Sequence, residues 1–178
     1  HAAISLAGEP TMYDRLSELL TEFKRRNFTT FVVSNGTFPE KLQALSEEPT
    51  QLYITVAAPE EEIYRKLCRP LLPDGWSRLL RSLELLNSFS CRKVIRLTLV
   101  KEFNMCKPQL YADLIEKSNP DFVEAKAYMH VGFSRNRLQM TNMPSHNDVL
   151  EFAQEISRHC GYKIVDQSTE SRVVLMKK

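Results

Sequence analysis

The feature that most constrains the fold is a repeated unit: a short apolar segment, then a turn, then an amphipathic helix. The stretches "TTFVVSNG", "QLYITVAA", "KVIRLTLV" and "DFVEAKAY" are all rich in apolar and β-branched residues and lie between helical patterns. One such pattern, from Tyr13 to Arg26, repeats leucines at helical spacing. Continuous apolar runs are typical of strands buried on both faces of a parallel sheet. The sequence therefore predicts an α/β fold with helices packed outside a parallel sheet.

The number of units predicts an incomplete barrel. About five parallel strands are expected, the first from roughly Ala3 to Leu6, and a helix from about Asn147 to His159 precedes a terminal strand pair, "YKIVDQ" and "SRVVLMK". This count suits an open or partial (βα) barrel better than a closed eight-stranded one. Because no Gly/Ser-rich linker or low-complexity segment interrupts the 178 residues, we expect one domain spanning residues 1–178.

Composition excludes several classes of protein. The 24 Lys and Arg residues against 22 Asp and Glu residues give a net charge of only +2, so any nucleic-acid site must be local. Cys68, Cys91, Cys106 and Cys160 are scattered and are expected to be reduced structural thiols. No apolar run approaches the roughly 20 residues that span a bilayer. We expect a soluble, cytoplasmic monomer without membrane contact.

Candidate ligand-binding residues are those that follow the predicted strands, because parallel α/β proteins bind ligands at the carboxyl ends of their strands. This ring is polar and contains one acid facing amides and hydroxyls, which suits a zwitterionic ligand such as an amino acid. No G-x-G-x-x-G or Walker motif is present to hold a polyphosphate. The ring consists of Gly8, Glu9, Ser34, Asn35, Thr55 to Ala58, Lys101, Asn104, Lys126 and Tyr128.

A second interpretation is open for several of these residues. Glu9 precedes Pro10 and would also favour the next helix through its dipole. The stretch Ser34-Asn35-Gly36 is equally a good turn. Lys126 lies inside an apolar strand, and it either serves a ligand or pairs with a neighbouring carboxylate.

The stretch "GFSRNRLQMTNMPSH" is also open to two interpretations. Its Arg135 and Arg137 lie in a Gly/Ser/Asn loop after the strand that ends near Tyr128. The loop either holds phosphates through bidentate arginine contacts or is a solvated connection.

Five stretches together resemble a known family. In order along the chain, "SLAGEPTMY", "TTFVVSNG", "PTQLYITV", "RLTLVKEFN" and "VEAKAYMHVGFSRNRL" are similar to the radical S-adenosylmethionine domain of the tRNA 4-demethylwyosine synthases of the wybutosine pathway. The "SRNRL" loop and the "SRVVLMK" ending look most like the archaeal type. The resemblance covers nearly the whole chain.

The resemblance implies a cofactor site. Ala7-Gly8-Glu9 matches the "GGE" turn that holds the amino group of S-adenosylmethionine, which would place an acid beside an ammonium ion. Departing from many relatives, this chain has Ala57 where they carry an aspartate. The other residues that the resemblance assigns are Ser34 and Asn35 in the pocket, Thr55 near the ribose or carboxylate, Arg96, Thr98 and Asn104 from the next strand, and Lys126 and Tyr128 near the adenine or the substrate.

The resemblance also implies an activity. The family joins two carbons of pyruvate to 1-methylguanosine in phenylalanine tRNA, using a 5′-deoxyadenosyl radical, a 4Fe-4S cluster and a flavodoxin- or ferredoxin-type electron donor. Arg135 and Arg137 would contact tRNA. The C-x-x-x-C-x-x-C cluster loop and the pyruvate lysine of the family are absent from these 178 residues. We therefore expect the C-terminal part of a lyase-type synthase, lacking the first strand and the cluster loop of the barrel and inactive alone.

Two other functions are compatible with the sequence. One is a radical S-adenosylmethionine enzyme with a different substrate, since the "GEP" turn is more widely shared than the tRNA loop. The other is a cluster-free α/β module that binds a ligand without chemistry.

Overall fold

A computed structural model describes residues 1–5 and 8–178. The described residues form one seven-stranded sheet in the order β1-β2-β3-β4-β5-β7-β6. Strands β1 to β5 run parallel, β7 is antiparallel to β5, and β6 is antiparallel to β7. The strands are β1 Ala2–Ile4, β2 Thr30–Ser34, β3 Gln51–Val56, β4 Arg92–Leu99, β5 Phe122–Ala127, β6 Lys163–Ser168 and β7 Val173–Lys177.

Helices connect the parallel strands and cover one face of the sheet. Short 3-10 helices occur at Pro10–Met12, Leu86–Ser88, Gly132–Asn136 and Met140–Asn142. The α-helices are α1 Leu16–Arg25, α2 Pro39–Gln43, α3 Glu61–Cys68, α4 Gly75–Leu85, α5 Pro108–Ser118 and α6 His146–Arg158. None of the helices in this described part of the chain combines the length and apolar character needed to cross a bilayer.

Alternation along each strand separates two faces. On β3 and β4 the fully buried side chains, such as Ile54 and Leu97, point toward the helices and form the core. The alternate residues, among them Thr55, Arg96 and Thr98, are only half-buried and share the opposite face, called here the inner face. The inner face therefore carries polar side chains on strands whose other face is apolar.

The predicted open parallel α/β sheet with a terminal strand pair is confirmed. The strand pair is β6 and β7, and β7 extends the sheet by pairing with β5. The predicted last helix is also present, one residue earlier, as α6. It begins with a capping box in which Ser145 and Asp148 each accept a hydrogen bond from the other's backbone N–H.

Several predicted boundaries were wrong. The helix expected from Tyr13 begins at Leu16, because Pro10–Met12 forms its own 3-10 turn first. The short helix α2, between β2 and β3, was given no predicted bounds. The first strand ends at Ile4, and the predicted end at Leu6 lies outside the described residues.

Gly36 fixes the turn that follows β2. Its φ of +73° lies in the left-handed region. A Cβ at this position would lie 2.8 Å from Leu79 Cδ1 and 3.2 Å from Ile54 Cγ2. The Ser82 hydroxyl donates a 2.7 Å hydrogen bond to the Gly36 carbonyl and ties the turn to α4. Only glycine satisfies both the backbone angle and the close packing.

We therefore predict that Gly36→Ala lowers the free energy of unfolding by about 2–4 kcal/mol, since it combines a left-handed alanine with crowding of the core. Gly132→Ala is the matched control: its φ is +59°, and no described atom lies within 4 Å of the new Cβ. This control should lose only about 1–2 kcal/mol. Chemical denaturation measures both losses, and equal losses would show that the packing around Gly36 does not matter.

Candidate functional site

A carboxylate, Glu9, lies where the chain leaving β1 meets the turn after β2. Its Oε1 accepts hydrogen bonds from Thr11 Oγ1 at 2.7 Å, Thr11 N at 3.2 Å and Ser34 Oγ at 2.7 Å. Its Oε2 accepts one from Asn35 N at 2.7 Å. Parallel pairing of β1 with β2 brings these groups together at the carboxyl edge of the sheet. Four protein donors thus fix the carboxylate in one orientation.

Glu9 and the Ser34-Asn35 turn have the structural roles that the sequence left open. Glu9 is the N-cap residue of the 3-10 helix Pro10–Met12. Ser34 Oγ, besides donating to Glu9, accepts a hydrogen bond from Gly36 N at 3.0 Å. These contacts still leave part of Glu9 Oε2 available, because a carboxylate oxygen has two lone pairs and only one donor reaches Oε2.

Glu9 faces a cavity of about 490 Å³, within the usual range of small-molecule sites. Its floor is polar, and the chain after α3 supplies an apolar wall. The residues around the cavity are Glu9, Met12, Asn35, Thr37, Phe38, Thr55, Ala57, Tyr64, Cys68, Arg69, Pro70, Leu71 and Leu72.

The negative charge of Glu9 has no protein counter-ion among the described residues. None of the salt bridges formed by these residues involves it. A carboxylate held by neutral donors, beside a partly apolar cavity, favours binding of a cation.

Two rows of polar side chains extend from the cavity across the inner face. Thr55 pairs in register with Arg96, and Arg96 with Glu124, so β3, β4 and β5 each contribute one residue to the first row. Thr98 and Lys126 form the second row, one pleat closer to the carboxyl edge. The sheet register thus brings together four residues that the sequence assigned to the site.

The charges in these rows do not balance. Arg96 Nε donates to Glu124 Oε1 at 2.8 Å, and the Arg96 guanidinium stacks 4.6 Å from the centroid of the Tyr53 ring. Burial, and then the charge of Glu124, raise the pKa of Tyr53. Lys126 takes part in none of the ion pairs of the described residues, so the alternative in which it pairs with a neighbouring carboxylate is not observed. These two rows therefore hold two cations, Arg96 and Lys126, for one carboxylate, Glu124.

Two predicted site residues, Asn104 and Tyr128, make structural hydrogen bonds and do not line the cavity. Asn104 is fully buried, and its amide donates to Ala57 O at 2.8 Å and Thr98 O at 2.7 Å while accepting from Val100 N at 2.6 Å. It holds the ends of β3 and β4 together and has no free donor. Tyr128 donates to Ser134 Oγ at 2.8 Å and supports the loop that follows β5.

The predicted tRNA-binding arginines both lie on this loop. Arg135 is exposed. Arg137 donates to Leu67 O at 3.0 Å, close to the C-terminal end of α3, and so anchors the loop beside the cavity wall. A guanidinium has five N–H donors, so this contact leaves others for a ligand. Two predicted residues remain: Gly8 is exposed with a φ of +78° next to Glu9, and Lys101 Nζ pairs with Asp148 Oδ2 at 3.0 Å.

The cysteines are separate, half-buried thiols. Burial raises the pKa of Cys68, at the cavity, to about 11 and that of Cys91 to about 12. Cys68 lies at the carboxyl edge with Glu9, whereas Cys91 immediately precedes β4 at the opposite edge. Within residues 1–5 and 8–178, no three His, Cys, Asp or Glu side chains are grouped as metal ligands.

A second cavity, of about 340 Å³, lies on the inner face near the amino ends of the strands. Its walls include Tyr53, Arg92 and Glu124 together with residues of β6 and β7. Arg92 donates to Gln51, and Gln51 donates to Tyr53 OH at 2.6 Å, so these polar groups satisfy one another. Glu9 and Asn35 do not reach this cavity.

Sequence reasoning missed three parts of the site. Thr11, which supplies two of the four donors to Glu9, is hidden in an ordinary helix-start pattern. Glu124 could have been found, because it lies two residues before Lys126 on the same face of a strand. The wall from Cys68 to Leu72 follows α3, where the motif "RPLLP" gives an apolar run between prolines.

Comparison with protein families divides the chain into two adjoining regions. Residues 1–115 match the model of the radical SAM superfamily, and residues 117–178 match the model for wyosine base formation. The first region contains Glu9, Ser34, Asn35 and Thr55, and the second contains Lys126, Arg135 and Arg137.

Two relatives of the chain share one name, tRNA 4-demethylwyosine synthase, which agrees with the match to the model for wyosine base formation. An S-adenosyl-L-methionine-dependent tRNA 4-demethylwyosine synthase from Pyrococcus horikoshii is 54% identical over 99% of this chain and 53% of that protein. The enzyme of the same name from Methanocaldococcus jannaschii is 39% identical over 99% of this chain and 55% of that protein. The chain thus spans about half the length of the curated relatives it matches.

A solved structure is similar to this chain in both fold and sequence. "Structure of TYW1 with a lysine-pyruvate adduct bound" is 38% identical, with a TM-score of 0.89 over 98% of this chain and 55% of that one. The resemblance drawn from the sequence motifs is confirmed. Because the superfamily model covers residues 1–115 of 178, the chain belongs to the radical SAM superfamily.

Proposed function

We propose that this chain is part of a tRNA 4-demethylwyosine synthase. The full-length enzyme would condense pyruvate with 1-methylguanosine in phenylalanine tRNA, a lyase-type carbon–carbon reaction that uses S-adenosylmethionine and an external electron donor. The observation that carries the proposal is the match of residues 117–178 to the model for wyosine base formation, directly after the radical SAM region. A radical SAM enzyme with another substrate would not require that second match.

Glu9 is proposed to bind the ammonium group of the methionine moiety. The proposal is supported by a carboxylate that four neutral donors orient and that no described cation neutralises. Ser34 and Thr11 position this carboxylate and are not themselves contacts to the ligand. Their hydroxyl protons already point to Glu9 Oε1.

Asn35 and Thr55 are proposed to contact the rest of the cofactor. Asn35 Oδ1 accepts from Thr37 N at 2.9 Å and from Thr37 Oγ1 at 2.6 Å, so the amide NH₂ group of Asn35 is turned away from this turn. Thr55 lines the same cavity from β3. An amide donor and a hydroxyl beside a carboxylate suit the carboxylate and ribose of S-adenosylmethionine.

Lys126 and Thr98 are proposed to face the anionic substrate. The two polar rows hold two cations for one carboxylate, and Glu124 is already engaged by Arg96. Lys126 therefore retains a positive charge for a carboxylate or a phosphate. Arg96 contributes less directly, because its guanidinium is held between Glu124 and the Tyr53 ring.

A 4Fe-4S cluster supplies the electron that this class of chemistry requires. The thiols of this chain do not fit such a cluster, since Cys68 and Cys91 lie at opposite edges of the sheet and burial raises the pKa of both. We propose that the cluster ligands belong to another part of the full-length protein, and that residues 1–178 form one domain of it.

The first prediction concerns Glu9. In the full-length protein, Glu9→Gln should weaken binding of S-adenosylmethionine by roughly 10- to 100-fold, because an ammonium loses a charge-assisted hydrogen bond. Isothermal titration calorimetry gives the dissociation constant. Glu62→Gln, an exposed acid in the first turn of α3, is the matched control and should bind normally. An unchanged affinity in Glu9→Gln would leave that residue only its role as an N-cap.

The second prediction concerns the loop arginines. Replacing Arg135 and Arg137 together by alanine should weaken binding of phenylalanine tRNA and reduce the slope of log affinity against log salt by roughly 1 to 2. Affinity for S-adenosylmethionine should not change. Arg81→Ala with Arg158→Ala removes the same charge from exposed positions on α4 and α6 and should leave the salt slope as it was. If the unaltered protein and the two double variants have identical slopes, the loop is only solvated and does not contact tRNA.

The third prediction concerns the chain alone. After anaerobic reconstitution with iron and sulfide, residues 1–178 should hold no stoichiometric cluster and should not cleave S-adenosylmethionine, because the four thiols do not converge. Iron and sulfide analysis, with an assay for 5′-deoxyadenosine, measures this. About four irons per chain together with 5′-deoxyadenosine would contradict both the placement of the cysteines and the proposed division of the enzyme.

A further inference from the structure

The segment from Met129 to Met143, called here the 129–143 segment, displays large apolar side chains next to arginine. Phe133 is 91% exposed and Met140 is 67% exposed. Arg135 follows Phe133 by two residues and is also exposed. Apolar side chains grouped in this way on a folded surface mark a contact site.

The segment is held in place although its tips are exposed. Tyr128 donates to Ser134 Oγ at 2.8 Å, and Ser134 Oγ donates to Val131 O at 2.6 Å. His130 Nε2 donates to Leu138 O at 2.8 Å. Leu138 is buried in a small apolar cluster with Tyr128. Phe133 thus projects from an ordered platform, and binding to it would cost little conformational entropy.

The positive charge around this platform favours a negatively charged partner. From Ala125 to Asn147 the sequence contains no Asp or Glu, although the whole chain has 22. Among the described residues, Glu102 is the one acid that hydrogen-bonds to the segment, at its base, where Asn142 Nδ2 donates to it at 3.1 Å. Arg135 and Arg137 give the exposed part a positive charge. A partner that is both negatively charged and able to cover a flat ring fits this surface.

The platform also adjoins the candidate site. Arg137 donates to Leu67 O, and the next residues along the chain, Cys68 and Arg69, line the cavity beside Glu9. Anything bound on the 129–143 segment therefore lies beside the wall of that cavity.

We propose that Phe133 is a stacking platform for an unpaired RNA base, with Arg135 contacting an adjacent phosphate. Unpaired bases stack on aromatic side chains, and the phosphates beside them bind arginine. The inference rests on the proposed function and names the way in which its tRNA partner is held. A protein partner with an apolar groove could also bind Phe133. Such a partner would not explain why two arginines, and no Asp or Glu, lie in the sequence around Phe133.

The test measures binding of the full-length protein to two RNAs by fluorescence anisotropy. One is the anticodon stem-loop of phenylalanine tRNA, and the other is a blunt RNA duplex of equal length without unpaired bases. Phe133→Ala and Phe133→Leu should both weaken binding to the stem-loop by about 5- to 100-fold, and Phe133→Trp should retain it. Binding to the duplex should stay the same in all three variants, since the arginines remain.

Val165→Ala is the matched control, because Val165 is 53% exposed on β6, away from the 129–143 segment, and should bind the stem-loop normally. Full affinity in Phe133→Leu would overturn the proposal, since any apolar side chain would then suffice. Full affinity in Phe133→Ala, with salt-dependent binding intact, would overturn it and leave the proposed function standing. Failure of the unaltered full-length protein to bind either RNA would contradict both.

Discussion

The site depends on how Glu9 is held. A carboxylate at the edge of an apolar sheet is costly unless hydrogen-bond donors surround it. Here Thr11, Ser34 and the backbone of Asn35 supply those donors, and they converge because β1 and β2 are parallel and in register. The left-handed turn at Gly36, packed against α4, places the Asn35 N–H where it can reach Glu9. The fold therefore orients toward a cavity one negative charge that no described cation pairs with, and we propose that a cationic ligand completes it.

Within the described part of the chain, the inner face carries an unpaired positive charge on Lys126, opposite in sign to the charge of Glu9. Register across β3, β4 and β5 sets Thr55, Arg96 and Glu124 in one row and Thr98 with Lys126 in the next. Since Arg96 and Glu124 neutralise each other, Lys126 keeps an unpaired positive charge among the described residues. The negative group beside β2 and the positive group on β5 are the two charges to which we assign the zwitterionic cofactor and the anionic substrate of the proposed function. The helices cover the other face, so this polarity is confined to the side that a ligand can reach.

The sequence predicted the sheet well because parallel strands carry their signal in composition. Apolar runs identify each strand, and the chain order of strand and helix determines which ends meet. The ring of site residues followed from that order, and Glu9, Ser34 and Asn35 do come together.

Local geometry was not predictable in the same way. The separate 3-10 turn at Pro10–Met12 and the short helix α2 depend on tertiary contacts that override helix propensity. Asn104 resembles a site residue in the sequence, yet burial commits its amide to Ala57 and Thr98. Tyr128 similarly supports a loop through Ser134.

The most direct test of the central claim is a crystal structure of the full-length protein with S-adenosylmethionine bound. The distance that matters joins Glu9 Oε2 to the amino nitrogen of the cofactor. Our account predicts a charge-assisted hydrogen bond of about 2.7–2.9 Å, with Ser34 and Thr11 still donating to Oε1. An amino group held elsewhere, with Glu9 contacting only Thr11, Ser34 and Asn35, would contradict it.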